Sequence, residues 1–104
     1  REVVVDKPYQ DTQLTENKFQ RIFQQDVETE ELVWHRDHND RAVKPTSGKG
    51  WKIQLDNKLP MPLNINESIY VPKNVYHRLI KGRSTENLVV EVTEYAEGWG
   101  AQSD

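Results

Sequence analysis

The chain is built from short apolar runs that alternate with polar residues and are separated by turn-forming residues. The clearest run covers residues 51–56, where Trp51, Ile53 and Leu55 alternate with polar side chains, so one face of the predicted strand is buried and the other is wet. Residues 3–5 form a short β-branched run, and further strands are predicted over residues 18–25, 32–37, 41–44, 59–65, 69–71, 76–80 and 88–93. About eight short strands without a convincing helix predict an all-β sandwich or barrel.

The connections between these runs carry typical turn chemistry. His38, Asn39 and Asp40 form a predicted turn, because Asn and Asp satisfy local backbone groups and tolerate left-handed conformations. Residues 45–50 are predicted to form a loop, and residues 94–104 a loosely held polar tail. Pro60 and Pro62 restrict residues 59–65 to an edge or irregular strand, because proline cannot donate to a sheet ladder.

Length and composition narrow the class of protein. A chain of 104 residues without a linker or internal repeat is expected to form a single domain, residues 1–104. The absence of cysteine excludes disulfides, thiolate metal sites and thiol nucleophiles. A net charge of −3 with acids and bases interspersed argues against nucleic acid as the main partner. The absence of cysteine also suits a cytoplasmic protein, and since no apolar run is long enough to span a membrane we expect no membrane partner.

The candidate functional residues concentrate in residues 34–41, which hold two histidines, two aspartates and two arginines. The third histidine of the chain, His77, lies far downstream after a proline turn. A strand over residues 32–37 places His35 and Asp37 on one face. We expect the fold to bring His77 against these two side chains and form one buried polar site.

The spacing of these residues resembles the first motif of the cupins, small double-stranded β-helix (jelly-roll) proteins, which reads G-x5-H-x-H-x3-E-x6-G. His35 takes the first metal-ligand position and Gly48 the closing glycine. Asp37 stands at the second histidine, Arg41 at the glutamate and Thr29 at the opening glycine. The first motif is therefore degenerate.

The second cupin motif, G-x5-P-x-G-x2-H-x3-N, is matched by Pro72 and His77. Asn66 and Asn74 stand where the family has glycines, and asparagine is the best substitute for glycine at positive φ. Lys81 replaces the terminal asparagine. The resemblance covers roughly residues 30–95, and implies a barrel core there, N-terminal strands within residues 1–28 and a loose tail over residues 96–104.

The resemblance implies a divalent-metal site inside the barrel, formed by His35, Asp37 and His77. Two histidines and one carboxylate suit Fe(II), and also Zn²⁺, Mn²⁺ or Ni²⁺. Satisfied interior histidines without metal are the alternative interpretation. His38 is an alternative ligand if the strand register shifts, although a turn residue is the simpler interpretation. The order His-x-Asp and a later His also occurs in 2-oxoglutarate-dependent oxygenases, for which the chain is short.

Arg41 conflicts with the family pattern, because a guanidinium cannot bind a metal and its charge opposes one nearby. It could pair with Asp37 as an internal ion pair, or hold the carboxylate or phosphate of a substrate. Asp37 is accordingly either a structural partner of Arg41 or a metal ligand.

Three functions remain open. The first is a metal-dependent enzyme of dioxygenase, isomerase or lyase type that acts on a small anionic molecule. The second is a non-catalytic module that binds a sugar or another small ligand, and the third is a metal-free structural protein. A sugar or a flat ligand could stack on Trp34, Trp51, Tyr70 and Tyr76, but core and interface packing is the simpler interpretation. We expect a homodimer, since family members often pair and Leu32 and Trp34 on an outer strand face would need cover.

Overall fold

The computed structural model describes residues 7–96. They form eight strands and one turn of 3-10 helix, Thr29–Glu31. The strands are β1 (Tyr9–Thr15), β2 (Lys18–Phe23), β3 (Asp40–Ser47), β4 (Lys52–Leu55), β5 (Met61–Pro62), β6 (Ile69–Val71), β7 (His77–Ile80) and β8 (Leu88–Tyr95). The predicted all-β architecture with two antiparallel sheets is confirmed. The β-branched run at residues 3–5 lies outside the described residues.

The larger sheet has the order β1-β2-β8-β3-β6 and the smaller sheet the order β5-β4-β7. Neighbouring strands in both sheets are antiparallel. The core lies between the sheets, where the ring of Phe23 from β2 approaches Trp51, the residue before β4, with 6.0 Å between the ring centres. The residues of this core are Phe19, Phe23, Val27, Leu32, Trp51, Ile53, Leu63, Val71, Leu88, Val90 and Val92.

The alternation of side chains identified the central strands correctly. Trp51, just before β4, and Ile53 of β4 are buried while Lys52 between them is exposed. The predicted edge strand with Pro60 and Pro62 is the short β5, which lies at the edge of the smaller sheet. These assignments are correct because each strand has one face toward the core and one toward water.

The first strand of the larger sheet was not predicted. β1 is an edge strand, and its residues beyond Tyr9 are exposed. Tyr9 and Leu14 are its only large apolar residues, and they do not share one face. Its residues therefore lack the alternation of apolar and polar side chains that predicts a strand. In the register with β2, polar residues such as Asp11 and Arg21 lie opposite each other.

The predicted strand over residues 32–37 is wrong. Leu32 follows the 3-10 helix and is buried in the core, whereas Val33 and Trp34 are 59% and 41% exposed. Two consecutive exposed residues break the alternation that a strand needs, and only His35 forms a single isolated bridge. Because Leu32 is in the core, it cannot form the outer apolar face on which we based the homodimer, which stays a prediction.

Two boundaries also differ from the prediction. β3 continues through Pro45 to Ser47, where a loop was expected, and its register shifts between these two residues. This irregularity accommodates a proline inside the strand, since the ladder is interrupted where the N–H is missing. At the end of the chain, β8 extends to Tyr95 and pairs Glu94 with Arg41, so the start of the predicted tail is ordered. Residues 97–104 lie outside the described residues.

The asparagines at the glycine positions of the second motif have the expected conformation. Asn66 and Asn74 have φ values of 69° and 64°, in the left-handed region that asparagine tolerates. Gly48 has a φ of 114°, and a Cβ there would lie 2.7 Å from the backbone of Leu88, so a side chain is excluded. No helix in residues 7–96 is long and apolar enough to cross a bilayer.

Candidate metal centre

The site is formed where residues 32–40 run alongside the turn that precedes β7. The backbone N–H of His35 donates to the carbonyl of His77 at 3.0 Å, and the N–H of His77 donates to the carbonyl of His35 at 2.8 Å. This reciprocal pair sets the two histidines directly opposite each other, with 4.3 Å between their ring centres. A single β-bridge, in place of the predicted strand, therefore brings His35 next to His77.

Two further hydrogen bonds hold the same segments together. Asn74, in its left-handed turn, donates its backbone N–H to the carbonyl of Asp37 at 2.8 Å. The backbone N–H of Lys73 donates to the Asp40 carboxylate, also at 2.8 Å. Asp40 was predicted as a turn residue but is the first residue of β3, and its side chain closes the neighbouring turn. Together these contacts fix Asp37 beside His77.

The structure brings together the three residues that the sequence predicted as ligands. Potential ligand atoms of His35, Asp37 and His77 all lie within 4.8 Å of one another. His77 is buried, Asp37 is half-buried and His35 is exposed, so the group runs from the interior toward solvent. His38 is exposed in a bend and lies outside this group.

Both histidine rings are oriented in the same way by backbone carbonyls. Nδ1 of His35 lies 3.0 Å from the carbonyl of Val33, and Nδ1 of His77 lies 2.8 Å from that of Val75. Since a carbonyl only accepts, each Nδ1 carries the proton and each neutral ring has a free lone pair on Nε2. Such a contact is typical of metal-binding histidines, where it fixes the tautomer and the orientation of the ring.

The carboxylate of Asp37 provides a test of whether the group suits a cation. Its Oδ2 is buried without a hydrogen-bond partner and lies 3.3 Å from Nε2 of His77. With Nδ1 as the donor to Val75, neutral His77 turns a lone pair toward this oxygen, and two facing acceptors repel. A proton on Nε2 or a metal ion removes the conflict, and the N, N and O donor set suits a divalent transition metal. The residues therefore fit a metal.

Arg41 holds the other oxygen of the same carboxylate. Its Nη1 lies 3.3 Å from Oδ1 of Asp37, while its Nε and Nη2 donate to Oε2 of Glu94 at 2.9 and 2.6 Å. Glu94 faces Arg41 directly in the register of β3 and β8. The guanidinium thus bridges two carboxylates, leaves Oδ2 of Asp37 toward the histidines, and has its charge offset by Glu94.

The surroundings favour the metal-binding protonation states of His35 and Asp37. Burial lowers the pKa of His35, and the nearby His77 and Arg41 lower it further, against opposing effects of the Val33 carbonyl and Asp37. Burial by itself would raise the pKa of Asp37, but a hydrogen bond donated by the protonated form of His77 and the charge of Arg41 outweigh it and lower the pKa. At neutral pH His35 is therefore neutral and Asp37 is charged.

The group opens into a cavity of about 350 Å³ between the two sheets. His35, Asp37, Arg41 and His77 lie on its wall, together with Arg21. Most of the remaining wall is apolar and includes Phe23, Leu32, Val43, Ile53, Val71, Leu79, Val90 and Val92. A cavity of this size with a few converging polar groups is typical of small-ligand sites. A barrel filled by its own side chains would have no such cavity.

Sequence reasoning missed two charged residues, Arg21 on the cavity wall and Glu94, which pairs with Arg41. Glu94 was assigned to a loose tail, although its position opposite Arg41 is decided by the pairing of β3 with β8. Arg21 was predicted only as a strand residue between Phe19 and Phe23. A charged residue on an otherwise apolar strand face was the available signal.

No family model matches the sequence, and no curated protein matches it. Among solved structures, the chain is similar to an RmlC-like cupin family protein with a double-stranded β-helix fold from Methanocaldococcus jannaschii. The TM-score is 0.65 and the identity 16%, over 90% of this chain and 85% of that one. At this level of sequence identity, the structural similarity shows the fold alone.

Two other similar structures are larger proteins. One, described among the DMSP lyases RdDddP and RnDddQII, has a TM-score of 0.65 and 16% identity, over 82% of this chain. The other, described as FeII HppE, has a TM-score of 0.61 and 10% identity, over 75% of this chain. The chain spans 40% and 41% of their respective lengths.

Proposed function

The chain has the cupin fold, and from this premise we propose that it binds a divalent metal through His35, Asp37 and His77 and uses the cavity for a small anionic molecule. The observation that carries the proposal is the unsatisfied Oδ2 of Asp37, which faces His77 while both histidine Nδ1 atoms are turned to carbonyls. Two imidazole nitrogens and a carboxylate oxygen that lie within 4.8 Å of one another suit a divalent cation.

The functional class that we propose is a metal-dependent enzyme of dioxygenase, isomerase or lyase type. A divalent metal there would supply Lewis-acid polarisation of a ligand oxygen, or O₂ binding if it is iron. Within the chain, Arg41 orients Asp37 through Oδ1, and Val33 and Val75 orient the two histidines. The apolar wall excludes water from a bound ligand. A lyase and an Fe(II) protein among the similar structures support this class by analogy of fold.

A metal titration of the purified, chelator-treated protein tests the proposal. We expect one equivalent of Mn²⁺, Fe²⁺, Ni²⁺ or Zn²⁺ to bind, as measured by calorimetry and by mass spectrometry of the metal content. Failure to bind any of the four ions would contradict the proposal. The contact between Asp37 and Arg41 would then make the group an internal ion-pair network, and the cavity that of a non-catalytic binding protein.

Metal affinity is expected to depend on pH in one direction. Binding needs neutral histidines, so affinity should fall as the pH drops through the range in which His35 gains a proton, which its lowered pKa places below the usual histidine value of 6.5. The fall should reach about tenfold per pH unit for each proton displaced. Calorimetry with Mn²⁺ at several pH values checks this, and constant affinity from about pH 7 down to about pH 4 would contradict histidine ligands.

Replacing Arg41 with glutamate should strengthen metal binding by at least about tenfold, because it removes a cation and adds a carboxylate beside the metal. The new carboxylate would face Glu94 across the strands, so the variant is best made together with Glu94→Gln. Arg36→Glu, the same change of charge at an exposed position, serves as the control. Unchanged or weaker Mn²⁺ affinity in the double variant would show that Arg41 supports the site more than it opposes the metal.

A further inference from the structure

Arg21 stands where the strand pattern calls for an apolar residue. It lies on β2 between Phe19 and Phe23, which are both buried, and shares their inward face because strand side chains alternate. Its side chain is 14% exposed and lies on the wall of the cavity. Burying a guanidinium costs free energy unless its donors are used.

The contacts of Arg21 use part of its hydrogen-bonding capacity. Nε and Nη2 donate to the two oxygens of Asp11 at 2.8 and 2.9 Å. The guanidinium carbon lies 3.6 Å from the ring centre of Tyr9 and 4.9 Å from that of Phe19. These contacts fix its plane, and none of the described residues accepts a hydrogen bond from Nη1.

Arg41, the other arginine of the cavity, is less suited to hold a ligand. Glu94 occupies its Nε and Nη2, and Asp37 lies against its Nη1. Its guanidinium carbon lies 5.5 Å from the ring centre of Phe19, which Arg21 also approaches. The two arginines therefore lie on the same side of the cavity. Arg41 contacts carboxylates of the chain with Nε, Nη1 and Nη2, whereas Nη1 of Arg21 has no acceptor among the described residues.

We propose that Arg21 is the anion-recognition residue of the cavity and binds the carboxylate of a small ligand with an apolar body through Nη1. Building on the proposed function, this inference names the ligand class for the same cavity. The charged hydrogen bond would fix the carboxylate beside the Tyr9 and Phe19 rings, and the aliphatic wall would take the body. Glu31, which also lines the cavity, is exposed at its rim, where water weakens its repulsion of an anion.

Titration with butyrate and with its neutral analogue butyramide tests the proposal, followed by ¹H–¹⁵N NMR with the side-chain N–H signals of arginine included. Butyrate should shift the signals of Arg21 and its neighbours, and butyramide should bind at least about tenfold more weakly. The same ratio is expected for butyrate between the wild type and Arg21→Gln. Arg36→Gln, at an exposed position, is the control and should match the wild type.

Asp11→Asn distinguishes recognition from a purely structural ion pair. The amide keeps one acceptor oxygen, so the change frees one donor of Arg21 and removes the offsetting charge, and butyrate affinity should rise by roughly three- to tenfold. A structural pair would instead lower thermal stability in both Asp11→Asn and Arg21→Gln without changing butyrate affinity. Equal butyrate affinity in the wild type and both variants would overturn the proposal.

Repeating the titrations with and without Mn²⁺ separates this inference from the proposed metal site. Butyrate binding that needs Arg21 in both conditions supports the inference, even if Mn²⁺ itself does not bind and the metal proposal fails. Butyrate binding that appears only with Mn²⁺ and survives in Arg21→Gln places the anion on the metal. That result overturns the inference and leaves the metal proposal standing.

Discussion

Replacing His77 with alanine is expected to abolish divalent-metal binding. His77 is the buried member of the group, and its Nε2 lies 3.3 Å from the Asp37 carboxylate. Loss of a residue that merely orients a ligand costs about 10–100-fold in metal affinity, so removal of a ligand should cost at least about a hundredfold. Calorimetry with Mn²⁺ and the metal content of the purified variant measure the effect.

His38→Ala is the matched control, because His38 is exposed in a bend close to the same group. It should bind metal as the wild type does. The backbone hydrogen bonds between residues 35 and 77 do not need the imidazole, so His77→Ala should keep the fold, which circular dichroism can verify. A folded His77→Ala protein with wild-type affinity would remove His77 from the ligand set. Loss of binding in His38→Ala alone would identify His38 as the ligand instead.

Trp51→Ala should cause the largest loss of stability among single substitutions in the core. Trp51 is fully buried, packs against Phe23, and donates its indole N–H to the carbonyl of Glu86 at 2.9 Å. Replacing a buried tryptophan by alanine costs about 3–5 kcal/mol in the free energy of unfolding, and the carbonyl of Glu86 also loses its donor. Urea denaturation measures the difference.

Trp34→Ala is the matched comparison at a partly exposed position. Trp34 is 41% exposed and stacks with Arg78, whose guanidinium carbon lies 4.9 Å from its ring centre. A cation–π contact at an exposed site contributes about 0.5–1 kcal/mol, so its loss should cost much less than that of Trp51. Equal losses in the free energy of unfolding for the two variants would show that Trp51 is not a central residue of the core.

Part of the site could be predicted because it depends on spacing along the chain. His35, Asp37 and His77 were identified from their positions in two motifs, and the structure places them within 4.8 Å of one another. The turns also followed from local chemistry, since Asn66 and Asn74 take the positive φ that their positions require. Residues 32–37 were nevertheless wrongly predicted as a strand. Their sequence alternates as a strand would, with Val33, His35 and Asp37 on one face, and this pattern does not show that Leu32 is buried and Val33 exposed.

The sequence by itself determined the all-β class, the period-2 burial of strands such as β4, and the identity of the candidate ligands. Only the tertiary structure decided which charges meet. Arg41 pairs with Glu94 across 53 positions of the chain, and Arg21 with Asp11 across ten, because the register of antiparallel strands places them opposite each other. Alternation is a local property of a strand, whereas register depends on which strands become neighbours and on irregularities such as the one after Pro45.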